Sequence, residues 1–319
     1  RDRSPSRGLG DVYKRQYHNF DFTKVGEVLL HGTNWWWMFF SLLFGVLAQV
    51  FRGWRWKQML EPLEAFPKRS DCVNAIFISY AASLIVPRVG EVSRCGVLAK
   101  YDNVSFAKSL GTVVTERLVD TLTILLITGV TVLLQLPIFV TFLQQTGTKI
   151  PSLLHLLTSV WFYIVLFCFI GVGMLLYYLR KTLFFYERVK GFVLNIWEGV
   201  MSLKGVRNIP LFSFYTLAIW GCYFFHFYFT FYCFAFTAHL SILAALVMFV
   251  GGTFAVIVPT PNGAGPWHFA VISMMMLYGV NETDAGIFAL IVHGIQTFLV
   301  VLLGVYGLAA LSLTNRQRK

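Results

Sequence analysis

The chain has 319 residues, of which 57% are apolar, 17% aromatic and 13% charged, with a formal net charge of +11. That balance excludes an ordinary soluble domain, which needs more polar surface to cover a core of this size. It does not point to nucleic acid either, because the basic residues gather between long uncharged runs, as in the loops of a polytopic membrane protein.

Residues 1–16, RDRSPSRGLGDVYKRQ, are polar, basic and aperiodic, and no apolar core of a signal peptide follows them directly. They read as a non-native leader, the alternative being a genuine basic cytoplasmic tail. Residues 17–34 form a pre-membrane segment, amphipathic over 22–33. WWWMFFSLLFGVLAQVF at 35–51 is the first clear span, anchored by three tryptophans at its interface. RGWRWKQMLEPLEAFPKRS reads as a basic loop carrying Arg52, Arg55, Lys57, Lys68 and Arg69. An apolar segment at 72–87 is short and stops at Pro87. A second polar stretch carries Arg88, Arg94, Lys100 and Lys108.

Residues 110–136 form a long span, and 153–179 another, separated by a loop whose one basic residue is Lys149. A basic loop at 180–207 holds an amphipathic helix. Residues 211–236 cross, 242–258 and 267–280 flank a Pro/Gly turn, and 287–313 cross last. The chain then runs into a basic tail at 314–319. If 72–87 dips in and returns, and the 242–280 pair does the same, every strongly basic loop falls on one side. The positive-inside rule makes that side cytoplasmic, the C-terminus included. The expected fold is therefore an all-α, polytopic transmembrane bundle with two interrupted, re-entrant segments, an arrangement that admits an inverted repeat.

The two interruptions are alike. IVPRVG at 85–90 places Pro87 and Gly90 after an apolar run. IVPTPNGAG at 257–265 places Pro259, Pro261, Gly263 and Gly265 after another. Proline removes a backbone donor and glycine admits unusual dihedrals, so helices end at such sequences. Irregular backbone at membrane depth survives only against protein or a wet cavity. Paired interruptions of this kind mark the binding sites of transporters built from repeats. The alternative is a pair of ordinary loops at helix ends.

Charged residues single out the same regions. Arg88, Glu91 and Arg94 are three apart and share a face if helical. Guanidinium groups hold phosphate or carboxylate through two parallel bonds. The competing reading is a solvated cytoplasmic face. Glu116, Arg117 and Asp120 lie in an otherwise apolar run, where charges are costly and face partners inside the bundle. Arg88 or Arg94 is the expected partner of Glu116. Asn262 and His268 stand at the second turn; a lone histidine in an apolar run is as often a satisfied core residue. His155, His226, His239 and His293 lack metal-ligand spacing. The five cysteines contain no CxxC pair, so neither a metal nor a cofactor is expected.

Four motifs in this order, RGWRWKQML, SLIVPRVGEVSRCGVL, SLGTVVTERLVDTLTILL and VPTPNGAGPWHFA, resemble the lysylphosphatidylglycerol synthase transmembrane region, a flippase-like family. The resemblance covers about 20–315. It implies a multi-spanning domain over 35–313 in a bacterial inner membrane. In the multifunctional members, that domain precedes a soluble aminoacyltransferase and moves the modified lipid across the bilayer. By this resemblance Pro87, Arg88, Gly90, Glu91 and Arg94 match a PRxGExxR core. Glu116, Arg117 and Asp120 match an ERxxD core, and Pro259, Pro261, Gly263 and Gly265 match the PTPGGxG turn. Asn262 replaces a usual Gly and His268 a usual Glu, which suggests a different substrate. The chain ends at Lys319 without such a transferase, so an activity of making the modified lipid is not expected. The leading expectation is movement of a membrane phospholipid or lipid-linked precursor with an anionic head group. The alternatives are a membrane-embedded transferase on a lipid-linked substrate and a scaffold for a separately encoded synthase.

Overall fold

The computed structural model of the protein describes residues 22–137, 167, 186–258 and 260–315. The leader at 1–16, Lys149, the expected 153–179 span apart from residue 167, Pro259 and residues 316–319 lie outside the described residues. Those described are helical, with no strand among them. Helix α1 (Phe22–Glu27) runs into a π-helical turn (Val28–Gly32), and its Val25, with Val28 and Leu29 of that turn, packs on the largest apolar cluster.

Helix α2 (Trp35–Leu60) starts at Asn34, whose side chain accepts the Trp36 N–H at 3.2 Å. The expected loop from 52 onward is a finding against the sequence reading: the helix continues to Leu60. Buried Ser41, Ala48, Gln49, Arg52, Arg55 and Met59 recur at helical spacing, so one stripe faces inward along its whole length. The following turn Glu61–Leu63 contains Pro62 and closes with Glu64 in the left-handed region (φ 57°).

The first interrupted segment is a helical hairpin. Helix α3 (Arg69–Ile85) ends as Val86 goes extended ahead of Pro87, as a residue before proline must. Arg88 takes a left-handed conformation (φ 64°), and helix α4 (Val89–Tyr101) returns. The arms touch at Gly90, where a Cβ would lie 1.9 Å from the Ser79 carbonyl oxygen. Helix α5 (Phe106–Leu134) is capped by Ser105 and crosses helix α6 (Tyr186–Met201) at a Gly111–Gly199 contact.

Helix α7 (Ile209–Tyr228) packs along α2 through rings such as Phe44, Phe225 and Phe229. The second hairpin is helix α8 (Ile242–Ala255), a turn, and helix α9 (Pro266–Leu277). Helix α10 (Glu282–Asn315) packs against α9 and α3.

Among the described residues, four stretches are long and apolar enough to cross a membrane: Trp35–Leu63, Phe106–Leu134, Ile209–Cys233 and Glu282–Thr314. The hairpin arms are not. At about 1.5 Å per residue, α3, α4, α8 and α9 span roughly 18–26 Å, against a hydrocarbon core of about 30 Å. The protein is an all-α, multi-pass integral membrane bundle.

The two hairpins open at opposite ends. Pro62 meets Gly205, and residues 63–66 share a crevice with 102–105, so these turns gather at one end. At the other end the Asn34 N–H donates to the Cys233 carbonyl at 2.8 Å, and the Tyr278 hydroxyl reaches Gln135 at 3.3 Å. The α3–α4 hairpin starts and finishes at the first end; the α8–α9 hairpin starts and finishes at the second. Each is flanked by two long helices, α2 and α5 or α7 and α10. The pattern of long, broken, long occurs twice with opposite sense.

Candidate functional site

The hairpin tips meet one another. An Arg88 guanidinium N–H donates to the Ile257 carbonyl at 3.1 Å, and the turn Pro261–Gly263 packs on α3. Between the tips lies a cavity of about 530 Å³. Four arginines line it: Arg52, Arg88, Arg94 and Arg117. Glu91 is its one lining carboxylate, and hydroxyls from Ser79, Tyr80, Ser83, Thr121, Thr253 and Thr260 complete the polar part. Ile76, Val256 and Ile257 supply apolar wall.

Behind the wall is a buried charge network on three helices. Glu116 is fully buried, and its Oε2 accepts from Arg94 at 2.8 Å. Its Oε1 accepts from Arg52 at 2.5 Å and from Arg117 at 3.0 Å. Asp120 accepts from Arg52 at 2.8 Å and from Arg55 at 2.7 Å. Arg55 also reaches Thr216 on α7 at 3.2 Å. Arg94 lies over the Trp56 ring at 4.7 Å, and the Trp56 N–H donates to Thr112 at 2.9 Å. Buried ions persist only when paired and hydrogen-bonded, and α5 meets that condition because Glu116 and Asp120, four apart, face α2 and α4 together.

The pairing is not complete. Arg94 Nε and Nη2 and Arg52 Nε are buried and without a hydrogen-bond partner among the described residues, and so is the Thr260 hydroxyl. All three residues line the cavity. Five guanidinium groups (Arg52, Arg55, Arg88, Arg94, Arg117) face three carboxylates (Glu91, Glu116, Asp120), which leaves two positive charges uncompensated in this cluster.

Of the residues singled out in the sequence, Pro87, Arg88, Glu91, Arg94, Arg117, Asn262 and Gly263 lie in the cavity wall. Glu116 and Asp120 stand behind it and hold its arginines. Arg94, and not Arg88, pairs with Glu116. Gly90 fastens the first hairpin, while Pro261 opens the turn of the second. Asn262 adopts a left-handed conformation (φ 53°) and donates to the Thr297 hydroxyl at 2.6 Å. Gly263 and Gly265 also have positive φ (74° and 90°), which explains the glycines.

His268 is placed elsewhere. It is 3% exposed, its Nδ1 accepts the Gly265 N–H at 3.2 Å, and its ring meets His293 edge-on at 4.7 Å. It caps the start of α9 and is not among the cavity's lining residues. The sequence reading did not assign Arg52 or Arg55 to the site. Their spacing from Gln49 and Met59 on one helical face is the signal that could have found them. Among the described residues no group of three His, Cys, Asp or Glu side chains has a geometry that could hold a metal ion.

A family model for the lysylphosphatidylglycerol synthase TM region matches residues 13–304. The chain belongs to this family. No curated protein and no solved structure matches it. Family membership and the four long apolar helices agree on a multi-pass membrane protein, and the four sequence motifs of this family member converge on one cavity: RGWRWKQML brings Arg52, SLIVPRVGEVSR brings Arg88 to Arg94, TERLVD brings Arg117 and its buried carboxylates, and VPTPNGAG brings the opposing turn.

Proposed function

We propose that the protein moves a lipid or lipid-linked precursor with an anionic head group across the membrane, holding that group in the cavity between the hairpin tips. The observation that carries this reading is a cavity lined by Arg52, Arg88, Arg94 and Arg117 against the carboxylate of Glu91, in which Arg52, Arg94, Arg117 and Thr260 also keep buried donors without a partner among the described residues. An anion supplies the missing acceptors, and guanidinium groups suit phosphate oxygens. Hairpins opening to opposite ends and touching at Arg88–Ile257 give a midplane site with two thin gates. Opening one hairpin at a time exposes the site to one side at a time.

Lys57, Lys68, Lys100, Lys204 and Arg207 cluster at the end where α2, α3 and α4 meet their loops, and the positive-inside rule makes that end cytoplasmic, the end of α10 included. The membrane is taken to be the bacterial cytoplasmic membrane. A membrane transferase needs a free acid or base at the substrate; Glu116 and Asp120 are both engaged by arginines, which leaves Glu91, 3.6 Å from Arg117, as the lining carboxylate for that role. The test is translocation of a fluorescent anionic phospholipid in proteoliposomes. Arg88→Ala should slow it at least tenfold while the protein still inserts and elutes as a folded species. Unchanged translocation overturns the assignment.

A further inference from the structure

We infer that the cavity is built for a dianionic phosphate monoester, rather than for the phosphodiester of ordinary bilayer lipids. The inference rests on the head-group reading above and makes its substrate class specific. Its basis is charge matching between the ligand and the arginines of the wall, of which Arg52 and Arg94 are buried and Arg88 and Arg117 accessible.

Inside the bundle the effective dielectric is low, and an uncompensated charge is far more costly than at a surface. The five guanidinium groups and three carboxylates of the cluster leave two positive charges over. A phosphodiester, with one negative charge, neutralises half of that excess. A terminal phosphate monoester carries nearly two above its second ionisation, which lies near pH 6, and removes all of it.

The donors fit the same conclusion. A diester phosphate offers two unsubstituted oxygens, and a monoester offers three. Five buried donor atoms on lining residues have no partner among the described residues: Arg94 Nε, Arg94 Nη2, Arg52 Nε, Arg117 Nε and Thr260 Oγ1. The paired Nε and Nη2 of Arg94 form one edge of a guanidinium fork, which binds two oxygens of a single phosphate. That leaves Arg52 on α2, Arg117 on α5 and Thr260 in the turn of the second hairpin for the third. Arg88 adds a donor from the tip itself, currently spent on the Ile257 carbonyl. The apolar wall at Ile76, Val256 and Ile257 gives the chain of a lipid a place beside the head group.

The same phosphate chemistry is found on a lipid and on a soluble metabolite, so the test separates them. Purified, delipidated protein at about pH 8 is titrated with dioctanoyl phosphatidic acid, dioctanoyl phosphatidylglycerol, dioctanoyl phosphatidylcholine and glycerol phosphate, with bound ligand read by native mass spectrometry. Phosphatidic acid should bind at least tenfold more tightly than phosphatidylglycerol, and phosphatidylcholine and glycerol phosphate more weakly still. Equal affinity for phosphatidic acid and phosphatidylglycerol, both above phosphatidylcholine, overturns the monoester inference and leaves the anionic head-group reading standing. Equal affinity for all three lipids overturns that reading as well. Glycerol phosphate binding as tightly as phosphatidic acid supports the dianion and overturns a lipid substrate. Because all four ligands are tested on one unaltered protein, no outcome depends on a variant folding.

Discussion

Replacing Glu116 by glutamine is the sharpest perturbation of the charge network, because it removes one charge and almost no volume. Glu116 is fully buried and accepts from Arg52, Arg94 and Arg117, with Arg55 also within 3.5 Å. The substitution raises the uncompensated charge of the cluster from two to three and puts an amide N–H₂ against guanidinium donors. Removing one partner of a buried ion pair typically costs about 3–5 kcal/mol, since the other charge stays behind unpaired. At a few degrees per kcal/mol in a protein of this size, Glu116→Gln should lower the unfolding temperature in detergent by on the order of 10 °C. Combining it with Arg94→Gln tests the cause. Arg94 Nη1 bonds Glu116 Oε2 at 2.8 Å, so the double variant should be more stable than the two separate losses predict, by at least about 1 kcal/mol. Glu91→Gln is the comparison: Glu91 is part-exposed and 3.6 Å from Arg117, so its loss should cost at most about 1 kcal/mol. A Glu116→Gln protein as stable as the Glu91→Gln protein, or strictly additive losses, would refute the network as the element that holds α2, α4 and α5 together.

Other expectations concern the hairpins. Gly90→Ala places a methyl group 1.9 Å from the Ser79 carbonyl and should prevent the α3–α4 hairpin from closing, read as loss of monodisperse protein in size-exclusion chromatography. Gly96→Ala, with nothing within 4 Å of its new Cβ, should raise the melting temperature slightly, because alanine favours a helix by about 0.5–1 kcal/mol. Gly111→Ala should separate α5 from α6, since its Cβ falls 2.1 Å from the Ile196 carbonyl, and limited proteolysis near 202–208 should then accelerate. Asn262→Gly should cost about 1 kcal/mol, from the lost bond to Thr297 alone. Asn262→Ala should cost about 2 kcal/mol, from left-handed strain and the lost bond to Thr297.

The hairpins were legible because their signal is local. Proline, glycine and a polar residue inside an apolar run state the interruption outright, and Pro87 and Pro261 sit where the helices break. Glu116 and Asp120 were legible for a related reason, since a charge within a span must have a partner. The identity of those partners was not. Arg52 and Arg55 sit beside Lys57 and Pro62, and that density of charge reads as a loop. Only the carboxylates 64 and 65 residues further on, which accept from them, turn it into a buried helical face. His268 lies apart from the cavity. Its nearness to the turn in sequence suggested a site residue, but the third position of a helix aims back at its own cap, which is where its ring lies. The departure of Asn262 from glycine is structural in this respect too, because asparagine tolerates the left-handed conformation the turn demands.

The most direct measurement of the central claim is the lipid retained by the purified protein, identified by native mass spectrometry. Wild type is compared with Arg88→Ala, which strips a cation from the cavity wall, and with Lys108→Ala, which strips one from the exposed pair with Glu198. The account predicts one enriched anionic lipid, lost from Arg88→Ala and kept by Lys108→Ala. Unselective lipid, or equal retention in both variants, would contradict a head-group site between the hairpin tips.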